Sequence, residues 1–137
     1  MTHTAPAPQV GDTLSFRKTL TVAEQAMFTG ISGNLAPLHV DQRAARAAGF
    51  GGMVAFEFAA LALASTVLNR LAGPAWRIGQ AQLDFPTATL VGETVEASVT
   101  LTRVEAAALH FDLACTLGTG EQAITGTVTL VPAVARG

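Results

Sequence analysis

The run of residues 53–68 constrains the fold more than any other feature of the sequence. It is apolar and rich in alanine, apart from one carboxylate, Glu57, and two hydroxyl-bearing residues. A helix that crosses a membrane needs about 20 strongly apolar residues, so this run is too short to be one. A helix that is apolar on nearly every side must then be covered by protein. We therefore predict a helix over residues 53–71, ending before Gly73. The rest of this small domain, together with a second subunit, is expected to enclose it.

Beyond Gly73 the apolar residues recur at every second position. They stand at positions 95, 97, 99 and 101, for example, with polar residues between them, which is typical of a half-buried strand. The pattern predicts strands over residues 76–85, 93–105, 107–117 and 122–131, and a further strand over residues 12–20. The four strands after residue 75 have short connections, which favour an antiparallel meander. The sequence thus predicts an α+β fold in which a curved antiparallel sheet wraps around a long central helix.

Two short helices are predicted between the first strand and the apolar run. Thr21 and Glu24 have the spacing of a capping box, in which the two side chains bind the first amides of a helix. Asp41 is placed to cap a second short helix, which Gly49 ends. Residues 31–38 between them contain glycine, asparagine and proline, which predicts a loop.

Composition narrows the classes of protein. The 137 residues, 50% hydrophobic and 13% charged, suffice for one domain with a buried core. The net charge is −2 and the eight Lys and Arg residues are scattered, which argues against nucleic-acid binding. The N-terminus has neither the basic nor the apolar region of a signal peptide. We predict a cytoplasmic protein outside the membrane, with a flexible arm over residues 1–9 and one domain over residues 10–137.

Cys115 is the only cysteine, which excludes an internal disulfide and fits a reducing compartment. It alternates with apolar residues and is predicted to be a buried thiol rather than a nucleophile. No Cys and His residues have zinc-site spacing, and there is no glycine-rich phosphate loop. We predict no metal and no bound redox cofactor. His110 lies on the polar face of its strand and is expected to face solvent.

The loop that ends at Asp41 is the best candidate for chemistry, because it contains His39. Loops held between rigid elements are where function concentrates, and the ordinary pKa of histidine lies near neutrality, as a proton shuttle requires. A histidine that only hydrogen-bonds loop carbonyls fits the residues as well. Composition alone favours that structural interpretation.

The loop pattern Ser32-Gly-x-x-x-Pro-x-His39-x-Asp41 resembles the signature of the MaoC-like and (R)-specific enoyl-CoA hydratases. The resemblance runs from about residue 10 to residue 131. It implies the hot-dog fold, a homodimer with its sheets joined edge to edge, and an enzyme of the lyase class. The implied reaction is syn hydration of a trans-2-enoyl thioester, or dehydration of an (R)-3-hydroxyacyl thioester. Coenzyme A or an acyl carrier enters only as part of the substrate.

The same resemblance implies an altered active site. The family's Asp and His share the proton transfers, but its Asp falls on Asn34 here, while its His is retained as His39. An amide orients a water molecule but does not accept a catalytic proton at ordinary pH. We expect His39 to act as acid and base, Asn34 to orient water or substrate, and Ser32 and Gly33 to contact the substrate.

At the head of the central helix the family's His-Gly pair falls on Phe56 and Glu57. The resemblance implies that backbone amides around these residues bind the thioester carbonyl, which makes Phe56 a substrate-binding residue. Glu57 is a candidate replacement for the missing acid. Burial would raise its pKa, whereas the helix N-terminus would oppose that shift. A carboxylate that is satisfied by nearby amides, or partly exposed at a dimer rim, is the alternative.

Two other functions remain open. One is a hot-dog thioesterase in which Glu57 is the nucleophile or base. The other is a non-catalytic subunit that binds acyl thioesters, which is expected if Asn34 marks a loss of activity. The missing Asp favours these two, whereas the retained His39 loop favours the hydratase.

Overall fold

The computed structural model describes residues 6–135, so the first five residues of the predicted arm lie outside the described residues. The elements in chain order are β1 (Thr13–Thr19), α1 (Val22–Ser32), α2 (Pro37–Val40), α3 (Gln42–Ala47), α4 (Glu57–Ala72), β2 (Trp76–Asp84), β3 (Thr94–Glu105), β4 (Ala108–Leu117) and β5 (Gln122–Pro132). The five predicted strands and the long helix are all present. Within residues 6–135, no helix has both the length and the apolar character that a membrane span requires.

The five strands form one antiparallel sheet in the order β1-β3-β4-β5-β2. The last three strands are a meander, as predicted, but the prediction is wrong for β2, which pairs with β5 at the far edge. The chain between β2 and β3 does not make a hairpin. It crosses the head of α4, where Leu90 bridges to Val54 and the Thr89 carbonyl accepts from the Ala55 amide at 2.8 Å. These contacts replace the expected turn.

The core lies between α4 and one face of the sheet. The buried side of the helix carries Ala60, Leu63, Ala64, Val67 and Leu68. It packs against alternate residues of the central strands, such as Val95, Ala97, Val99 and Leu101 of β3, each no more than 1% exposed. Burying a valine or leucine side chain contributes about 1.5–3 kcal/mol. This sheet around a central helix is the hot-dog fold, and the predicted fold class is confirmed.

The central helix begins at Glu57, four residues later than predicted. The preceding segment is extended because its backbone groups have partners outside a helix. The Val54 amide donates to the Leu38 carbonyl at 3.0 Å, and the Met53 carbonyl accepts from the Val91 amide at 2.9 Å. An apolar sequence fits a buried extended segment as well as a buried helix, which is why its pattern is misleading here.

The single chain does not enclose α4 on every side. Phe58, Ala62, Ser65 and Asn69 are exposed and lie on one face of the helix. Phe58 is 65% exposed although it is aromatic. The sheet thus covers one side of α4, and the expected cover on the other side is absent from the described part of this chain.

The predicted helix caps are confirmed. Thr21 and Glu24 form a capping box at the start of α1, and the Asp41 carboxylate accepts from the amides of Arg43 and Ala44 at the start of α3. The predicted loop over residues 31–38 is wrong at both ends. The helix α1 continues through Ser32, and Pro37 starts the single turn of α2, since proline at the first helical position has no amide to leave unpaired.

Candidate functional site

His39 is buried in α2 with only 7% of its surface exposed. Its Nδ1 lies 2.7 Å from the Val54 carbonyl oxygen. Because a carbonyl only accepts, Nδ1 must carry the proton of this hydrogen bond. The neutral imidazole therefore has its lone pair on Nε2, which has no hydrogen-bond partner among the described residues. The proton-accepting atom of His39 is thus defined by the fold.

An aromatic stack covers one face of His39. The Phe56 ring stacks on the imidazole, with 4.3 Å between the ring centroids and 23° between the planes. Phe28 of α1 lies behind it, 5.0 Å from the Phe56 centroid. Phe56, predicted to bind substrate, is therefore placed directly beside His39.

Gln25 of α1 is a third side chain at this site, and it was not predicted from the sequence. It is 6% exposed, and its amide binds backbone groups of the segments that carry His39 and Phe56. The signal in the sequence is helical spacing. Gln25 precedes Phe28 and Thr29 by three and four residues, so a polar side chain lies on the buried face of α1.

A groove of about 230 Å³ opens beside His39. Most of its walls are aliphatic, and its lining residues are Val22, Gln25, Ala26, Thr29, His39, Val40 and Met53. The groove combines an apolar surface with a few polar groups, which is the usual character of a small-molecule site.

The predicted site residues Ser32, Gly33 and Asn34 form the turn between α1 and α2. Gly33 ends α1 with a φ of 71°, and Ser32 Oγ accepts from the Asn34 amide at 3.1 Å. The Asn34 Oδ1 accepts from the Ala36 amide at 2.9 Å. All three residues are exposed. The Asn34 oxygen is thus used within its own loop, and the structure records no hydrogen bond between Asn34 and His39 in the described residues.

Glu57 is exposed, which fits the alternative of a helix-start carboxylate at the surface better than a buried acid. It lies in the first turn of α4 and lines a second cavity of about 90 Å³, together with Ala60, Phe85, Thr87 and Thr89 among others. This cavity shares no lining residue with the groove beside His39. The fold of one chain therefore does not bring Glu57 and His39 together in one cavity.

The amides predicted to bind the thioester carbonyl are not equivalent. The Phe56 amide donates to the Gln25 Oε1 at 3.3 Å. It is buried and already has an acceptor, whereas Glu57 stands at the surface end of the helix.

Cys115 and His110 do not line the groove beside His39. Cys115 is fully buried, and burial raises the pKa of its thiol to about 11. His110 is half-buried rather than fully solvent-facing, since Thr129 Oγ1 lies 3.2 Å from its Nδ1. No three His, Cys, Asp or Glu side chains within residues 6–135 are grouped so that they could hold a metal ion.

Residues 6–121 match the family described as MaoC like domain. The (R)-specific enoyl-CoA hydratase of Rhodospirillum rubrum is 32% identical over 127 residues, which cover 90% of this chain and 88% of the relative. The 3-hydroxybutyryl-CoA dehydratase of Methylorubrum extorquens is 27% identical over 124 residues, with coverage of 90% and 79%. The solved (R)-hydratase from A. caviae, involved in PHA biosynthesis, superimposes with a TM-score of 0.87 at 25% identity, over 93% of this chain and 98% of the other. The chain belongs to the family of MaoC-like domains.

Proposed function

We propose that the protein hydrates enoyl thioesters, or dehydrates 3-hydroxyacyl thioesters, with His39 as the acid and base. One observation carries the proposal. The 2.7 Å hydrogen bond from Nδ1 to the Val54 carbonyl leaves Nε2 as the proton-accepting atom, and His39 lines an apolar groove. Relatives that are named as hydratase and dehydratase support the reaction class.

The proposed hydration uses one group for both proton transfers. His39 Nε2 takes a proton from water as the water oxygen bonds to C3 of the enoyl thioester, and negative charge moves to the thioester oxygen. The resulting imidazolium then gives that proton to C2 from the same side, which completes a syn addition. Amides near the start of α4 stabilise the enolate oxygen. The Phe56 amide already donates to Gln25, so we assign this role to the next backbone amide, that of Glu57, which directly follows the residue whose ring stacks on His39. The role needs only this backbone group and not the Glu57 carboxylate, which belongs to the other cavity.

Asn34 orients the water in this proposal. Its Oδ1 already accepts from the Ala36 amide, and we assign the contact with water to its NH₂ group, which makes no hydrogen bond within the described residues. A water molecule that accepts from the amide and donates to the imidazole is held in place by both groups, but only the imidazole can take its proton. The rate is therefore expected to be lower than with a second carboxylate.

The thioesterase hypothesis depends on Glu57, which is exposed and lines a different cavity from His39. No contact in the described residues gives it a base or an orienting partner, and we rank this function second. The non-catalytic hypothesis draws support from Phe56, whose ring covers one face of the imidazole.

Assays of crotonyl-, 3-hydroxybutyryl- and longer acyl-thioesters distinguish the three functions. A hydratase is expected to remove the conjugated double bond without releasing free thiol. His39→Ala should abolish this reaction. Release of thiol that Glu57→Gln abolishes would establish the thioesterase instead. Binding without either reaction would establish the non-catalytic subunit.

We further propose that two chains associate through the edge of β2 and the uncovered face of α4. The strand β2 pairs only with β5, so its other edge has free backbone groups among the described residues. Ile78 on this strand is 49% exposed, and Phe58 on α4 is 65% exposed. An edge that pairs across a two-fold axis is protected from aggregation. The second chain would supply the cover that α4 lacks.

A further inference from the structure

Three backbone groups around His39 converge on the side-chain amide of Gln25. Its Nε2 donates to the His39 carbonyl and to the Val54 carbonyl, each at 2.9 Å. Its Oε1 accepts from the Phe56 amide at 3.3 Å. Gln25 is 6% exposed, so these bonds are shielded from water. A buried amide that is bound at both ends is rigid, because leaving any of these groups unpaired is unfavourable.

The Val54 carbonyl links Gln25 to the imidazole. Its oxygen accepts from Gln25 Nε2 and also from His39 Nδ1, at 2.9 and 2.7 Å. A carbonyl oxygen has two lone pairs, so both bonds form together. The place of this oxygen determines the place of Nδ1, and thereby the direction of Nε2 on the other side of the ring. Gln25 therefore acts on the edge of the imidazole through Val54.

Gln25 also acts on the face of the imidazole. By accepting from the Phe56 amide it holds the backbone of the residue whose ring stacks on His39 at 4.3 Å. The side chain of Gln25 thus binds the backbone of His39, the Val54 carbonyl that accepts from His39 Nδ1, and the backbone of the Phe56 residue whose ring covers the imidazole.

We propose that Gln25 is a positioning residue that holds His39 in the Nδ1–H tautomer with Nε2 directed to the groove. The inference rests on the proposed function, in which Nε2 moves the proton. Both polar ends of Gln25 are used within the protein, so it affects the reaction through His39. Small displacements of a catalytic group are known to reduce rates by up to about 100-fold.

Gln25→Met tests this role, because methionine keeps the length of the side chain and removes its polar ends. We expect kcat for crotonyl-thioester hydration to fall about 10- to 100-fold. KM should change by less than about threefold. Gln25 lines the groove, but its polar atoms bind backbone groups, so the substitution removes no polar contact that is available to the substrate. In ¹⁵N NMR spectra, the His39 imidazole should move from the Nδ1–H tautomer towards a mixture with Nε2–H. Val99→Ala is the matched control, because it weakens the core away from His39 and should lower Tm without changing kcat or the tautomer.

The two readouts separate this inference from the proposed function. If the wild-type protein does not hydrate enoyl thioesters, the proposed function fails, and the tautomer alone decides whether Gln25 positions the ring. Two results would overturn the inference. One is an unchanged His39 tautomer in Gln25→Met, and the other is an unchanged kcat in Gln25→Met when the wild-type protein is active. In either case a lowered Tm would mean that Gln25 only stabilises the fold. If Gln25→Met does not fold, Gln25→Asn is measured by the same criteria, because its shorter side chain cannot reach all three partners.

Discussion

Gly126 of β5 lies against the Gln82 carbonyl of β2 so closely that a methyl group at Gly126 would overlap that oxygen. The Gln82 carbonyl carbon and the Leu83 Cα would both lie 3.0 Å from such a group. These atoms belong to the backbone and cannot rotate away as a side chain can. The junction of β2 with the rest of the sheet therefore requires glycine at this position.

Gly126→Ala should weaken this junction and destabilise the protein by about 1–3 kcal/mol, the usual cost of overpacking. Thermal unfolding followed by circular dichroism measures the change in Tm. Gly118→Ala is the control, because nothing lies within 4 Å of the added methyl group. Equal Tm values for the two variants would show that β2 shifts freely on β5.

Glu24 predicts a dependence of stability on acid. Hydrogen bonds from Lys18, and then from Thr21, lower the pKa of Glu24 from 4.5 to about 2. A lowered pKa in the folded state means that the contribution to stability is complete above about pH 4.5 and is lost as the pH falls towards 2. Glu24→Gln should therefore flatten the acid side of the stability curve between these values. Denaturant unfolding at several pH values measures it, and Lys18→Met should flatten the curve in the same direction.

The sequence predicted most of the fold because periodicity and caps are local signals. Alternation located the strands, and Thr21 and Asp41 marked the helix starts. The position of β2 could not be predicted, since pairing with β5 depends on contacts far apart in sequence. The start of α4 was missed for a similar reason, because Leu38 and Thr89 supply the partners that keep residues 53–55 extended.

The candidate site was predicted in part. His39 was found from its motif, and the structure places Phe56 beside it. Gln25 was missed because a glutamine in a helix usually faces solvent, and only the tertiary fold shows its three buried partners. For Glu57 the sequence left open both a buried acid and a partly exposed carboxylate, because its neighbours are apolar. Glu57 is exposed in the first turn of α4, and the choice between the two depends on how distant parts of the chain cover this end of the helix.

His39→Ala should lower kcat for crotonyl-thioester hydration by about 10²–10⁴-fold, the usual contribution of a general acid and base. It should also destabilise the fold by about 1–3 kcal/mol, because a buried hydrogen bond is lost with the ring. Steady-state kinetics and Tm measure the two effects. His110→Ala removes a half-buried histidine on the other side of the sheet and should leave kcat unchanged. Retained hydration in His39→Ala would rule out the proposed mechanism.

Association through the β2 edge should give a particle of twice 14.1 kDa in light scattering at micromolar concentration. Ile78→Lys places a charge on this edge and should shift the mass towards that of the monomer. Val104→Lys is the matched control, since Val104 is 47% exposed, close to the 49% of Ile78, but lies on β3. A monomeric wild-type protein would rule out the association, whereas equal effects of the two lysines would place the interface elsewhere.

Asn34→Asp changes the chemistry of the loop with little effect on the fold. Asn34 is exposed, and an aspartate oxygen can accept from the Ala36 amide as the asparagine oxygen does. The free energy of unfolding should therefore stay within about 0.5 kcal/mol of the wild-type value.

The new carboxylate adds a second titratable group beside the loop that carries His39, so that water is activated as well as positioned. If the missing carboxylate is the only reason for a low hydration rate, the rate of crotonyl-thioester hydration should rise by about 10²–10⁴-fold. Steady-state hydration rates are compared with those of Gln42→Glu, which makes the same change of charge at an exposed position on α3. A similar gain in Gln42→Glu would mean that added negative charge, rather than proton transfer, raises the rate. If neither Asn34→Asp nor His39→Ala changes the hydration rate, this loop has no part in the chemistry.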